Sequence, residues 1–117
     1  MTITKLMDEE EIEYCMIVNI ESKQKKTQGN KDNIIPNGLI KMIDDVEYIN
    51  NLIDSLDNLI LPRHWAQGRG KLLVCRPNKT IMALLFYYSN ESVKNRKEKG
   101  IRINNKLKEV DYNLLFG

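Results

Sequence analysis

The most constraining feature of the sequence is a long run of apolar residues at helical spacing. Between Leu39 and Ile60, apolar side chains recur every three or four residues, which is the period of one face of an α-helix. Pro36 suits a first helical turn, and Pro62 cannot continue a helix. We therefore predict one long amphipathic helix between these prolines. Its opposite face carries acidic side chains at the same spacing, at Asp44, Glu47 and Asp54.

Three other segments have the patterns of β-strands. Residues 11–21 alternate apolar and polar side chains and are apolar on both faces at the centre, which predicts a strand buried on both sides. Residues 71–76 and 80–88 flank a Pro-Asn-Lys turn sequence and predict a β-hairpin. Aromatic residues in the second arm favour a strand there. The alternative is a helix from Thr80 to Gly100.

The basic segment that follows predicts a short helix over 89–99, ended by Gly100, and a second hairpin over 101–110 that turns at Asn104-Asn105. The apolar terminus 112–117 is expected to dock on the body, and it is also compatible with a homodimer. Residues 22–33 contain no apolar side chain and predict a flexible basic loop.

Together these elements predict one α+β domain over residues 1–117, with a small antiparallel or mixed sheet packed on one long amphipathic helix. A winged-helix fold is the alternative if residues 11–21 are helical. The sequence lacks a run of about 18 apolar residues, and its acidic start does not resemble a secretory signal, so we expect a cytoplasmic protein without a membrane span. The many Asn, Ile and Lys residues are typical of an AT-rich genome and suggest a phage or mobile element.

The charges are distributed unevenly along the chain. Residues 1–60 hold 6 basic and 12 acidic side chains, whereas residues 61–117 hold 12 basic and 4 acidic ones. Such asymmetry indicates a charged partner or an attraction between the two halves within the fold.

The sequence offers few of the residues that enzymes use. Its one imidazole belongs to His64, while Cys15 and Cys75 lie in apolar segments and are predicted to be buried, reduced thiols. These three residues lack the paired spacing of a zinc site. The Gly-Arg-Gly sequence at 68–70 lacks the remainder of a phosphate-binding loop. We therefore expect a protein that is not an enzyme and that needs no metal or cofactor.

Two basic segments are candidate binding sites. The first combines cations that pair with phosphates or carboxylates and one indole that stacks on a base or fills a protein pocket. Its residues are Arg63, His64, Trp65, Arg69, Lys71 and Arg76. The second has the charge density of a phosphate-binding surface. Its residues are Lys94, Arg96, Lys97, Lys99, Arg102, Lys106 and Lys108.

These surfaces support three functions. The favoured one is a small binding protein that inhibits or regulates a host protein, including one that handles nucleic acid, through the acidic helix face and the Trp65 loop. The first alternative is a nucleic-acid-binding regulator that uses the basic C-terminal half. The second is a binder of a small anionic, nucleotide-like ligand that uses the cluster around Trp65.

Overall fold

The structure, a computed structural model, describes residues 1–32, 34–35, 37–55 and 70–117. These residues form a four-stranded antiparallel sheet with helices on both faces, so the domain is α+β as predicted. The elements in chain order are α1 (Ile3–Glu10), β1 (Tyr14–Asn19), β2 (Lys25–Gly29), α2 (Asn37–Asp44), α3 (Val46–Ser55), β3 (Gly70–Cys75), β4 (Ile81–Tyr88), α4 (Val93–Leu107) and α5 (Tyr112–Phe116).

The strands lie in the order β2-β1-β4-β3, and every neighbouring pair is antiparallel. The strand predicted over 11–21 is β1, and it lies in the middle of the sheet with its residues buried on both faces. The winged-helix alternative required a helix in this segment and is therefore wrong. The predicted hairpin is β3–β4. Its turn is held by the Asn78 side-chain oxygen, which accepts from the backbone N–H of Thr80 and of Ile81, each at 2.9 Å.

Each face of the sheet has its own apolar core. Side chains at alternate positions of β1, β3 and β4 pack against α2 and α3 on one face. The intervening positions pack on the other face against α1, α4 and α5. Both cysteines belong to the second core and are buried and free, as predicted. The sheet thus separates two helical layers, which we call the α2/α3 layer and the α1/α4 layer.

The single long helix predicted between Pro36 and Pro62 differs from the structure, which has α2 and α3 with Asp45 between them. Asp45 ends α2 in a tight turn, in which its N–H donates to the Met42 carbonyl at 3.2 Å. Its carboxylate then accepts from the Tyr48 N–H at 3.1 Å and caps α3. Aspartate competes with the helix for backbone hydrogen bonds in this way, and the apolar period alone does not reveal it. The part of the prediction beyond residue 55 lies outside the described residues.

The short helix over 89–99 and the hairpin over 101–110 are wrong, because residues 93–107 form the one helix α4. The Ser92 hydroxyl accepts from the Asn95 N–H at 3.2 Å and starts the helix. Gly100 does not end it. This glycine is buried, with Ile103 and Leu107, in the face of α4 that packs on the second core. The alternative helix from Thr80 to Gly100 is also wrong, since residues 81–88 are β4.

Two terminal or loop segments also acquire structure. The segment predicted to be a flexible loop, 22–33, contains β2, because its main chain pairs with β1 although its side chains are polar. The C-terminal segment docks on the body through Leu115 and Phe116, as expected. In the described ranges, no helix has the length and apolar character needed to cross a membrane.

Candidate functional site: the exposed face of helix α4

The second predicted basic segment lies on α4 and its C-terminal cap. A helix of this length extends about 22 Å, and residues three, four or seven positions apart share a side of it. The seven cations of this basic segment lie on different sides of the helix. Some are used in contacts within the protein, and others remain on the solvent-exposed face.

The cations that face α1 are used in an ion-pair cluster around Glu10. This carboxylate is only 6% exposed and accepts from Arg102 at 2.8 and 2.9 Å and from Lys106 at 3.1 Å. Lys106 also contacts Glu9 at 3.3 Å. The hydrogen bonds from Arg102 lower the pKa of Glu10 to about 2, against the opposing effect of burial, and Lys106 adds to the lowering. We call Glu10, Arg102 and Lys106 the Glu10 clamp, because they fasten α4 to α1.

Two further cations of α4 lie against the end of β4. The Lys99 ammonium stands over the Tyr87 ring, 4.1 Å from its centroid, in a cation–π contact. The Tyr87 hydroxyl donates to Glu91. Burial raises the pKa of Tyr87 above its ordinary range, and the nearby charge of Arg96 partly opposes this. Arg96 is half-buried, and its Nε has no hydrogen-bond partner. Both cations are therefore partly withdrawn from the surface.

The remaining three lysines, Lys94, Lys97 and Lys108, are exposed. In the described part of the chain, no carboxylate lies within ion-pair distance of them. They share one side of the helix with Ile101, whose exposed fraction is 61%, and Val93 at the start of α4 is 58% exposed. We call these five residues the α4 patch. It has an apolar centre beside positive charge that makes no ion pair. Exposed Glu98, four residues after Lys94 and three before Ile101, lies at its edge.

The predicted acidic face is divided between two environments. Asp44 ends α2, and its carboxylate oxygens lie 3.9 Å from the Lys25 ammonium and 3.6 Å from that of Lys31. Glu47 and Asp54 lie seven residues apart on α3, so they share one side of that helix, and both are exposed. The acidic face is therefore shorter than predicted, because Asp44 pairs with Lys25 on β2 and with Lys31 just after it.

The cluster predicted around Trp65 is only partly described. Arg63, His64, Trp65 and Arg69 lie outside the described residues. Lys71 lies near the start of β3 and Arg76 follows its end, so about five residues, or roughly 17 Å of extended chain, separate them. Both are half-buried and have interaction partners. These two cations do not converge on one ligand.

Neither cysteine is activated as a nucleophile. Burial raises the pKa of both Cys15 and Cys75 to about 12, which opposes formation of the reactive thiolate. The two lie on β1 and β3, with β4 between them. Among the residues that the structure describes, no group of three His, Cys, Asp or Glu side chains is placed to hold a metal ion.

The Glu10 clamp was not predicted from the sequence. The acidic start of the chain served only to exclude a secretory signal, and no helix was predicted there. The signal was present in Thr2, which accepts from the Lys5 N–H at 3.1 Å and caps α1, and in the apolar spacing of Ile3, Leu6 and Met7.

No family model, curated protein or solved structure matches the chain.

Proposed function

We propose that this protein is a non-enzymatic binding protein that regulates a partner protein by docking the α4 patch on an acidic part of the partner's surface. The observation that carries the proposal is the position of exposed Ile101 among three lysines without ion pairs. Protein interfaces commonly have an apolar centre and a polar rim, and complementary charge directs the encounter. The proposed contact is on α4, whereas the hypothesis from the sequence used the acidic helix face and the Trp65 loop.

Nucleic-acid binding through the same helix is less well supported. Arginine is the side chain best suited to bidentate phosphate contacts, but Arg102 is engaged by Glu10 and Arg96 is half-buried. Only lysines remain free on the patch, beside two aliphatic side chains rather than an aromatic stacking surface. The patch therefore suits a protein surface better than a phosphate backbone.

The experiment is affinity capture with tagged protein from lysate of the source cells, with and without nuclease treatment, followed by mass spectrometry. Lys97→Glu and Ile101→Ser should each abolish capture of an acidic partner. The matched controls lie in the α2/α3 layer: Lys41→Glu changes an exposed lysine, and Val46→Ser changes an exposed aliphatic residue. Both controls should retain the partner, and raising the salt concentration should weaken capture.

Three results would contradict the proposal. Capture lost in Val46→Ser but kept in Ile101→Ser would assign the interface to α3. Capture lost on nuclease treatment, together with sensitivity to Lys97→Glu but not to Ile101→Ser, would favour nucleic acid. Capture of the same protein by all four variants would remove the tested surfaces of α2, α3 and α4 from consideration.

A further inference from the structure

The strand β2 is an edge of the sheet and is open along its outer side. Its residues Lys26–Gly29 are all exposed, and no described strand pairs with this side. The Asn19 N–H donates to Gln24 at 2.8 Å, and the Asn30 N–H donates to Glu13 at 3.2 Å.

In an antiparallel pair, hydrogen-bonded and non-hydrogen-bonded positions alternate. Given the register of β1 and β2, the positions bonded to β1 are 24, 26, 28 and 30. The main-chain groups of Lys25, Thr27 and Gly29 therefore point away from the sheet. Three consecutive outward positions are enough to template a short additional strand.

Clefts of different composition lie above and below this edge. On the α2 side, a cleft of about 240 Å³ is lined by Lys25, Thr27 and Lys31 beside Asp44. On the α1 side, a cleft of about 180 Å³ is lined by the apolar side chains of Ile3, Ile17 and Leu115 and, along β2 itself, by Lys26 and Gln28. A strand added to β2 would direct successive side chains alternately to these two faces.

We propose that β2 binds an extended protein segment in which acidic and apolar residues alternate, and that this segment adds to the sheet as a fifth strand. The acidic residues face Lys25 and Lys31. The apolar residues lie across from Lys26 and Gln28 and pack on their methylene groups and on the apolar side chains of the cleft between α1, β2 and α5. The site lies at the edge of the sheet opposite β3, whereas α4 packs on α1 and β3, so the proposal does not rest on the α4 patch.

Lysines on edge strands commonly prevent unwanted strand pairing. Of the two lysines on β2, Lys26 lines the cleft on the α1 face. Lys25, together with Lys31 just beyond the strand, is directed over the α2 face, because the Lys25 ammonium donates to the Asp44 carbonyl at 3.4 Å and the Lys31 ammonium lies 3.6 Å from the Asp44 carboxylate. These contacts are long and partly exposed, so an incoming carboxylate can replace Asp44. The lysines then exclude basic and neutral strands and select an acidic one.

The test is fluorescence polarisation with a labelled peptide of about seven residues in which Glu and Val alternate, matching the span of a short strand. The unmodified protein should bind it with a dissociation constant below about 1 mM. A peptide with the same residues in two blocks, Glu first and Val last, should bind at least about tenfold more weakly, since it cannot place each residue type on one face.

A matched pair of variants tests the main-chain contact. Thr27→Pro removes an outward N–H without removing a bond to β1, whereas Thr27→Val keeps it. Both lose the side-chain hydrogen bond between Thr27 and Tyr14. The proline variant should bind the alternating peptide at least about tenfold more weakly than the valine variant. Thermal unfolding checks that both are folded.

Equal binding by the two variants would overturn the proposal, as would equal binding of the two peptides or no binding to the unmodified protein. If Thr27→Pro does not fold, amide hydrogen exchange on the unmodified protein decides the question. The alternating peptide should then slow exchange at the amides of Lys25, Thr27 and Gly29. Unchanged exchange at these three positions would overturn the proposal.

Discussion

The two helical layers hold their charges in different ways. In the α1/α4 layer, Glu10 is 6% exposed and receives hydrogen bonds of 2.8–3.1 Å from two cations on α4. In the α2/α3 layer, the Asp44 side chain is 54% exposed and its ammonium partners stand at 3.6 and 3.9 Å. Short charge-assisted bonds to a buried carboxylate are strong, whereas exposed ion pairs contribute little.

This difference distinguishes cations that hold the fold from cations available to a partner. Arg102 and Lys106 are required to neutralise a buried carboxylate. The lysines of the α4 patch do not neutralise a buried carboxylate, and the lysines beside Asp44 form only long, exposed ion pairs with it. The number of basic residues in a segment therefore overstates the charge that a ligand encounters.

The largest expected effect is that of Glu10→Gln. The substitution leaves Arg102 and Lys106 without their counter-ion, but both are partly exposed and regain some hydration. We expect a loss of about 2 kcal/mol in the free energy of unfolding, measured by urea denaturation near neutral pH. A loss below about 0.5 kcal/mol would mean that the Glu10 clamp stabilises the fold no more than an exposed ion pair does.

The second prediction concerns pH. The pKa of Glu10 is about 2 in the fold, against an ordinary value of 4.5. A lowered pKa in the folded state means that the ionised carboxylate stabilises the fold fully above about pH 4.5, and that this contribution is lost as the pH falls toward 2. At least half of the stability difference between the unmodified protein and Glu10→Gln should therefore disappear by about pH 3. A constant difference from neutral pH to pH 3 would contradict the assignment.

The third prediction concerns the helix break in the α2/α3 layer. Asp45→Ala removes the side-chain acceptor of the Tyr48 N–H at the start of α3. We expect a loss of about 1 kcal/mol in the free energy of unfolding. Ser92→Ala is the corresponding change at the start of α4 and should cost a similar amount. An unchanged or increased stability in Asp45→Ala would show that Asp45 does not act as a cap.

The smallest effect is expected for Asp44→Asn. Because the ion pairs are long and exposed, the free energy of unfolding should change by less than about 0.5 kcal/mol. The small difference should vanish between about 0.1 and 1 M salt, where the Debye length falls from about 10 to 3 Å. A loss comparable with that of Glu10→Gln would contradict the distinction between the layers.

The sheet was more predictable from sequence than the helices. The alternation in residues 11–21 and the turn at Pro77 and Asn78 are local signals, and both are confirmed by β1 and the β3–β4 hairpin. In contrast, β2 has no apolar pattern and exists because β1 provides a partner for its main chain. Main-chain pairing with the neighbouring strand outweighs side-chain composition in such a strand.

The candidate site was only partly predictable for a similar reason. The sequence identified all seven cations near α4, but the division among them depends on contacts with α1, more than 90 residues away in the chain. The supposed hairpin turn at Asn104-Asn105 was also wrong, since helical packing of Ile103 and Leu107 outweighed the turn preference of asparagine. The charged residues of a sequence therefore predict a binding surface only when the ion pairs that they make within the protein are known.

The most direct test is a pair of double-mutant cycles, one for each layer. The first combines Glu10→Gln with Arg102→Gln, and the second combines Asp44→Asn with Lys31→Gln, all measured by urea unfolding at one pH and salt concentration. We predict a coupling energy above about 1.5 kcal/mol for Glu10 with Arg102 and below about 0.5 kcal/mol for Asp44 with Lys31. Equal coupling energies, or a larger value for Asp44 with Lys31, would contradict the conclusion that the α1/α4 layer uses its cations for the fold.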